Sequence, residues 1–336
     1  MKNFLLSVAF ASSLISCNSV KDLTQDRVVQ TYVDKISQTE LTKQLYIVAA
    51  DEMLGRDAGK EGEVLARNYL VNYYKTIGIS SPDGTDEGYF QIIPPKTFSR
   101  VEGEMRNVMA FVKGAELPDE VLVVSSHYDH VGVSDGEIYN GADDNGSGTV
   151  ALMEIARVVK EAQKKGNAPK RSILFLHVSG EERGLLGSKY YSDNPIFPLA
   201  NTIANVNIDM IGRVDDEHLT DENYVYIIGS NMLSTDLHNT VMKTKDFVKD
   251  LKLDEQFNTK DDPNRFYYRS DHYNFAKHDI PAVFYFNGVH EDYHRPTDTA
   301  EKINYPLMTK RVKSIFSTVW LLANADKRPA VDKPTK

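Results

Sequence analysis

The chain has 336 residues with a formal net charge of −9, and 41% of its residues are apolar. This composition and length are those of a globular protein with a sizeable core. The negative balance, without a cluster of Lys and Arg, argues against nucleic acid as a partner. Cys17 is the only cysteine. Beyond it, a thiol nucleophile, a cysteine-based zinc site and disulfides are therefore excluded.

The first residues have the pattern of a secretory signal. Lys2 precedes a mostly apolar run from Phe4 to Ile15, which is shorter than the roughly 20 residues needed to span a bilayer. The run ends in LISC at 14–17, which resembles a bacterial lipobox, where the cysteine is acylated. A plain cleavable signal with a chance cysteine is the alternative. We predict a signal peptide over 1–16, a lipidated tether over 17–40, and a cell-envelope location with membrane contact only through Cys17.

Apolar periodicity predicts the next elements in chain order. A helix over 61–77 ends at Gly78, and strands follow at 106–114 and 120–127. A helix follows the loop at 139–148, and a strand at 171–180 precedes a helix near 184–193. Strands at 203–210, 223–230 and 280–288 lead to a last helix over 304–325. This alternation indicates an α/β fold, a three-layer αβα sandwich with a mostly parallel, mixed sheet. We place one domain over 41–327 and a C-terminal tail over 328–336.

Polar side chains mark the ends of three predicted strands. His127, the Glu181–Glu182 pair and Asp209 each lie at or just past the end of an apolar run. In parallel sheets ligands bind beyond the carboxyl ends of the strands. Two adjacent glutamates in a half-buried position are costly unless a positive group offsets them. The pattern therefore indicates a site at this edge of the sheet.

Two loops add further candidates. The loop YNGADDNGSG (139–148) contains Asp144 and reads either as a solvated turn or as a loop shaped around a cation. The segment HEDYHRPTDT (290–299) contains His294, with Asp298 as a possible acceptor behind it. Asp129 lies two residues after His127 and is a candidate to hold its second ring nitrogen. Each piece alone is common, but together they indicate a metal site.

The order His, Asp, Glu-Glu, Asp, His in these contexts resembles the dizinc exopeptidases of metallopeptidase family twenty-eight, which includes secreted bacterial leucyl aminopeptidases. The resemblance extends from LGRDAGKEGE (54–63) to HRPTDTAEKI (294–303). It implies a zinc exopeptidase-like fold, two zinc ions, and a cis peptide between Asp144 and Asn145. It also implies Glu181 as the general base. The implied ligands are Asp144 bridging both ions, His127 and Asp209 on one ion, and Glu182 and His294 on the other.

The residue types suit this chemistry independently. Zinc accepts imidazole and carboxylate ligands, and paired ions clamp a water and a substrate oxygen. A carboxylate that does not bind metal can accept the proton of that water. Successive side chains on a strand point to opposite sides, so Glu181 and Glu182 can divide these roles. Tyr293 is a candidate donor to the developing oxyanion, with a packed tyrosine as the alternative.

Other polar and aromatic residues are assigned lesser roles. Asp143 is not expected to bind metal, and Arg269 and Asp271 are placed in the pocket or behind the ligands. The run 266–268 (FYY) either lines a side-chain pocket or belongs to the core. The remaining histidines are interpreted as structural or surface residues: His130, His177, His218, His238, His272, His278 and His290.

We therefore predict a lipid-anchored, monomeric aminopeptidase that acts on peptides outside the cytoplasm. The short connection between Gln91 and Asn107 leaves no room for the inserted domain that some relatives have. One alternative is a carboxypeptidase or dipeptidase of the same family, and another is a glutaminyl cyclase with a single zinc. A non-catalytic binding lipoprotein is a third alternative, which the presence of Glu181 disfavours because a binder needs no base.

Overall fold

A mixed eight-stranded sheet organises residues 25–333, the part of the chain that the computed structural model describes. The sheet order is β1-β2-β6-β3-β7-β10-β8-β9, and β4 with β5 forms a separate hairpin. The four central strands β6, β3, β7 and β10 are parallel. The strands are β1 (Phe90–Ile93), β2 (Met105–Val112), β3 (Leu117–His127), β4 (Gly132–Ser134), β5 (Glu137–Tyr139), β6 (Arg171–Val178), β7 (Thr202–Ile208), β8 (Tyr224–Ile228), β9 (Lys252–Asp254) and β10 (Ala282–Phe286).

Helices cover both faces of this sheet. Alternate side chains of β3 show the arrangement, because Leu122 and Val124 pack in one core with the helices α1, α2, α4 and α8. Val121 and Val123 point to the opposite core, with α5 and α7. The predicted three-layer αβα architecture with a mixed sheet is thus confirmed. The helices are α1 (25–33), α2 (Gln38–Val48), α3 (Glu61–Ile77), α4 (Gly148–Lys164), α5 (Leu186–Asp193), α6 (Thr235–Lys243), α7 (Tyr273–Ala276) and α8 (Tyr305–Asn324).

The N-terminal tether prediction is wrong for residues 25–40. Residues 25–33 are helical, and Val29, Tyr32 and Val33 are buried. The Tyr32 ring stacks on Trp320 of α8 at a centroid distance of 5.6 Å. Spacings of three and four residues put these apolar groups on one helix face, which docks on the core. The predicted signal peptide, Cys17 and the rest of the tether lie outside the described residues.

Other predicted elements agree with the structure to within a few residues. The helix over 61–77 has the predicted bounds, and the six predicted strands are all present. Short elements were not anticipated, among them β1, β9 and the β4–β5 hairpin, since three or four residues carry little periodicity. None of the helices in the described part of the chain combines the length and apolar character needed to cross a bilayer.

The strand order brings the candidate residues to one edge. β6, β3 and β7 are neighbours in the sheet and run parallel, so their carboxyl ends meet. His127 ends β3, Asp209 follows β7, and Glu181 follows β6. The loop with Asp144 leads directly into α4 at the same edge. The crevice expected for a parallel sheet is therefore lined by residues from four segments.

Candidate metal centre

The loop before α4 is tied to the sheet by Asn145. Its amide nitrogen donates to the carbonyl oxygen of Ile208 at 3.0 Å. Its amide oxygen accepts from the backbone N–H groups of Gly148 at 2.9 Å and Met210 at 3.2 Å. The peptide bond between Asp144 and Asn145 is cis, as predicted. The loop is thus fixed to the end of β7 and to the start of α4.

The two adjacent aspartates serve different partners. Asp143 accepts from the backbone N–H of Gly212 at 2.6 Å, and its other oxygen lies 3.1 Å from Nε2 of His290. The imidazole and the N–H donors outweigh burial, so the pKa of Asp143 lies below its usual value. Asp144 instead faces the strand ends. Asp143 is therefore a structural ion-pair partner, and only Asp144 is available to a metal.

Asp298 holds the backbone of this loop. Its carboxylate accepts from the N–H groups of Asp143 and Asp144, each at 3.0 Å. The expectation that it would orient His294 is wrong, because the loop offers two converging N–H donors to the same carboxylate. Asp298 therefore positions the metal-facing aspartate through the main chain.

Asp129 plays a similar part for the glutamate pair. Its two carboxylate oxygens accept from the N–H groups of Glu181 at 3.1 Å and Glu182 at 3.4 Å. Nδ1 of His127 lies 3.1 Å from the backbone oxygen of Asp129 but 3.7 Å from its carboxylate. The second nitrogen of His127 is thus held by a carbonyl rather than by the expected carboxylate.

One group of metal-binding type is formed by His127, Asp144 and Asp209. Ligand atoms of the three residues lie within 4.8 Å of one another. Nε2 of His127 is 3.2 Å from Oδ1 of Asp209 and 3.5 Å from Oδ1 of Asp144. The second oxygen of Asp209 accepts from the Ser270 hydroxyl at 2.7 Å. All three predicted ligands of the first ion therefore converge.

A second group shares Asp144 and contains Glu182. Nε2 of His294 lies 3.0 Å from Oδ2 of Asp144 and 3.0 Å from Oε2 of Glu182. The group whose ligand atoms all lie within 4.8 Å of one another consists of His130, Asp144 and Glu182, with Nδ1 of His130 at 2.8 Å from Oε1 of Glu182. His130, interpreted from the sequence as a structural or surface residue, therefore lies within the site. The His130 ring points towards the carboxylate of Glu182, which His294 also contacts.

The electrostatics of the cluster fit a bound cation. Burial and the neighbouring Glu182 raise the pKa of Asp144 to about 6. Burial would lower the pKa of His294, but Asp144 and Glu182 raise it to about 10. Among the described residues, no Lys or Arg forms an ion pair with Asp144, Glu181, Glu182 or Asp209. Crowded carboxylates and imidazoles without a basic side chain form a donor set suited to zinc.

Glu181 stands apart from both groups but shares their cleft. Burial, with the added repulsion of Asp209 and Glu182, holds the pKa of Glu181 well above its usual range. The side chain lines a cleft together with Asp144 and Asp209. This position beside the shared aspartate is the one required of a proton acceptor.

Aromatic and apolar side chains line the rest of the cleft. The Tyr293 ring stacks on His294 at 3.9 Å, and burial raises the pKa of its hydroxyl, which stays protonated. The Arg269 guanidinium lies 5.1 Å from the centroid of the Phe266 ring and also lines the cleft. The other apolar lining residues are Met210, Phe284, Phe286 and Val289.

The predicted pocket residues divide between cleft and core. Tyr267 and Tyr268 pack edge to face on Tyr273, at 6.0 and 5.1 Å, within an aromatic cluster. Asp271 is buried and accepts from the Ser188 hydroxyl at 2.5 Å. Burial raises the pKa of Asp271 to about 7. Phe266 and Arg269 therefore face the cleft. Tyr267, Tyr268 and Asp271 instead pack against neighbouring side chains.

Arg56 holds the backbone segments around the site together, and it was not identified from the sequence. Its guanidinium is fully buried and donates to four backbone carbonyls at 2.7 to 2.9 Å. Two of these belong to Tyr128, next to His127, and to Gly141, at the start of the Asp144 loop. The preceding Gly55 has φ +62°, and a Cβ there would lie 2.4 Å from the Gly132 oxygen.

Imidazoles and carboxylates at the carboxyl edge of an α/β sheet, with a further carboxylate beside them, define a metal-dependent hydrolase. The chain belongs to Peptidase family M28, whose family model matches residues 107–319. The predicted family and its zinc exopeptidase-like fold are thus confirmed.

Similar proteins agree with this assignment. A probable aminopeptidase of Saccharomyces cerevisiae is 27% identical over 81% of this chain and 75% of its own. Several fungal relatives named probable zinc metalloproteases match over less than half of their own length. Among solved structures, the LapA aminopeptidase of Legionella pneumophila superposes with a TM-score of 0.69 at 21% identity, covering 90% of this chain and 76% of that one. A glutaminyl cyclase of Porphyromonas gingivalis superposes with a TM-score of 0.65 at 18% identity, covering 84% and 97%. These two likenesses establish the fold.

Proposed function

We propose that this chain is a dizinc aminopeptidase that releases N-terminal residues from peptides. The observation that carries the proposal is the position of Glu181, a half-buried carboxylate outside both metal-binding groups that lines the same cleft as the shared Asp144. A protein that only bound peptides would have no need of this group. The names of the yeast relative and of LapA support the aminopeptidase assignment.

Two metal ions are part of the proposal. His127 and Asp209 would hold the first ion, and Glu182 and His294 would hold the second. Asp144 would contact both ions. Bound zinc would acidify a water and polarise the scissile carbonyl. Glutaminyl cyclases share this fold, so a metal count discriminates between the two activities. We expect two zinc equivalents per chain by elemental analysis, and a single ion would favour the cyclase.

The protein side chains supply proton transfer and binding. Glu181 lines the cleft but belongs to neither metal-binding group, so its carboxylate would accept the proton of the attacking water and pass it to the leaving amine. The protonated Tyr293 hydroxyl can donate to the developing oxyanion. The apolar lining, with Met210 and Phe284, suits the side chain of the terminal residue.

Arg269 favours one alternative, a carboxypeptidase or dipeptidase of the same family. A guanidinium on the cleft could bind a substrate carboxylate, and no ion pair occupies it in the described part of the chain. A tetrapeptide and a dipeptide in free, N-acetylated and C-amidated forms separate the candidates. We expect hydrolysis of the free and amidated tetrapeptides, with loss on acetylation and on addition of a chelator. Loss on amidation instead would indicate a carboxypeptidase, and cleavage of the dipeptide alone a dipeptidase.

We also propose that the mature protein is lipid-anchored at the cell envelope through Cys17, as a monomer. The support is the LISC sequence at 14–17. Labelled fatty acid should be incorporated in the producing cell and lost in Cys17→Ser. Unlabelled wild-type protein with a different mature N-terminus would refute the anchor and leave the peptidase proposal intact.

A further inference from the structure

His130 contacts the oxygen of Glu182 that His294 leaves free. Its ring is fully buried, with Nδ1 at 2.8 Å from Oε1 of Glu182. Nε2 of His294 approaches Oε2 of the same carboxylate at 3.0 Å. The two rings lie edge to face, 5.8 Å apart. Each oxygen of Glu182 therefore has its own imidazole.

The spacing is that of a hydrogen bond. Two ligands of one tetrahedral zinc, each about 2.0–2.1 Å from the ion, lie about 3.3 Å apart, whereas N–H···O bonds to carboxylates are about 2.7–2.9 Å long. Nδ1 of His130 is also 3.7 Å from Oδ2 of Asp144, beyond hydrogen-bond distance. Within the group, the direct hydrogen bond of His130 is therefore to Glu182 and not to Asp144.

The tautomer follows from the surroundings of the ring. An ionised carboxylate only accepts, so Nδ1 of His130 must carry the proton. Nε2 is buried and has no hydrogen-bond partner among the described residues. The ring therefore donates to Glu182 from Nδ1.

The surrounding backbone prevents the ring from turning away. The N–H of His130 donates to the carbonyl of Arg56 at 3.3 Å. On the other side, Gly141 has φ +52°, and a Cβ there would lie 2.5 Å from the His130 ring. Arg56 also donates from its guanidinium to the carbonyl of Gly141 at 2.9 Å, which holds the two segments beside the His130 ring together. The glycine is required for this close approach.

We propose that His130 is a positioning residue whose Nδ1–H fixes the Glu182 carboxylate, so that Oε2 is presented beside Asp144 and His294 and the second metal ion binds tightly. The proposal rests on the assignment of Glu182 as a ligand in the proposed function. Outer partners of metal ligands typically contribute 10–100-fold to affinity. Loss of this bond should therefore weaken one of two zinc sites by about that factor.

Three substitutions test the donor position. The amide of Asn can place a nitrogen near the Nδ1 position of His130, the longer Gln places it near Nε2, and Ala removes it. Zinc affinity is measured by competition with a chromophoric chelator, and folding is monitored by circular dichroism. We expect His130→Ala and His130→Gln to weaken one site by about 10–100-fold, and His130→Asn to recover most of the affinity. His177→Gln is the matched control, a buried histidine whose Nε2 contacts Tyr74 at 2.7 Å, and it should leave both sites unchanged.

Three outcomes overturn the assignment. Wild-type affinity at both sites in His130→Ala would show that the hydrogen bond does not matter. Equal loss in the Asn, Gln and Ala variants would show that the imidazole itself binds metal. Wild-type protein that binds a single ion overturns both the positioning role and the dizinc proposal. Protein that binds two ions but hydrolyses no peptide overturns the proposed function alone, since the zinc titration still tests His130.

Discussion

Replacement of Glu181 by Gln tests the proposed mechanism most directly. The amide has nearly the same shape but cannot take a proton from water. Loss of a general base typically costs about two to four orders of magnitude in kcat. At about 1.4 kcal/mol for each tenfold change, the barrier should rise by about 3–5 kcal/mol. KM should change little, because the lost interaction belongs to the transition state.

The structure predicts that the fold and the metals survive this change. The contact that holds this segment is the backbone N–H of Glu181 to Asp129, which the substitution retains. Burial already disfavours the charged form of Glu181, as its raised pKa shows, so a neutral amide removes a penalty rather than a stabilising pair. We expect a change of less than about 1 kcal/mol in the free energy of unfolding.

Glu182→Gln provides the contrast at the neighbouring position. Hydrogen bonds from His130 and His294 outweigh burial and hold the pKa of Glu182 well below its usual range. Removing that charge should weaken one zinc site by more than the roughly 10–100-fold caused by losing an outer partner. Zinc content, kcat and urea unfolding are measured for both variants. Near-normal turnover in Glu181→Gln, or equal zinc loss in both, would refute the division of roles.

Three further predictions concern the stability of the fold. Arg56→Met removes the side-chain donor of four buried carbonyls, of which that of Gly141 still accepts from the N–H of Gly146, and should lower the free energy of unfolding by about 3 kcal/mol or more in urea. The exposed Arg27→Met is the control, and equal effects would contradict the role of Arg56. Asp143→Asn should keep both zinc ions but cost about 2–4 kcal/mol of stability. Burial would lower the pKa of His290, but the ion pair with Asp143 raises it above its usual value. The stabilisation from this pair is therefore complete below pH 6.5, the pKa of the unfolded histidine, and is lost as pH rises through the pKa of His290 in the folded protein. The destabilisation by Asp143→Asn should therefore be larger at pH 6 than at pH 9. If the variant loses zinc, Asp143 is a metal ligand and the prediction is wrong. Burial lowers the pKa of His177 to about 3, so below pH 6.5 the unfolded state gains a proton that the native state refuses. His177→Gln should remove up to about 1.4 kcal/mol per pH unit of this acid sensitivity, measured by unfolding at pH 7 and pH 5; an unchanged slope would refute the argument.

The sequence by itself determined the architecture and most of the site. Apolar runs of strand length, alternating with helical periodicity, specify a mixed α/β sheet because each element must bury its own apolar face. The same runs end at His127, Glu181 and Asp209, so the edge that carries the site follows from local pattern and the general behaviour of parallel sheets. The resemblance to the family supplied Asp144 and His294, which lie on loops without periodicity.

Only the tertiary structure decided which polar groups face one another. His130 meets Glu182 across 52 residues, and Asp143 meets His290 across 147. Such pairs depend on strand order and on the path of the loops, which local pattern does not encode. The same holds for Asp298, which bonds the Asp144 loop instead of His294, and for Arg56, whose four acceptors are backbone carbonyls of other segments. A carbonyl oxygen is identical at every residue, so no side-chain pattern can mark it, and only the folded chain shows where four of them converge.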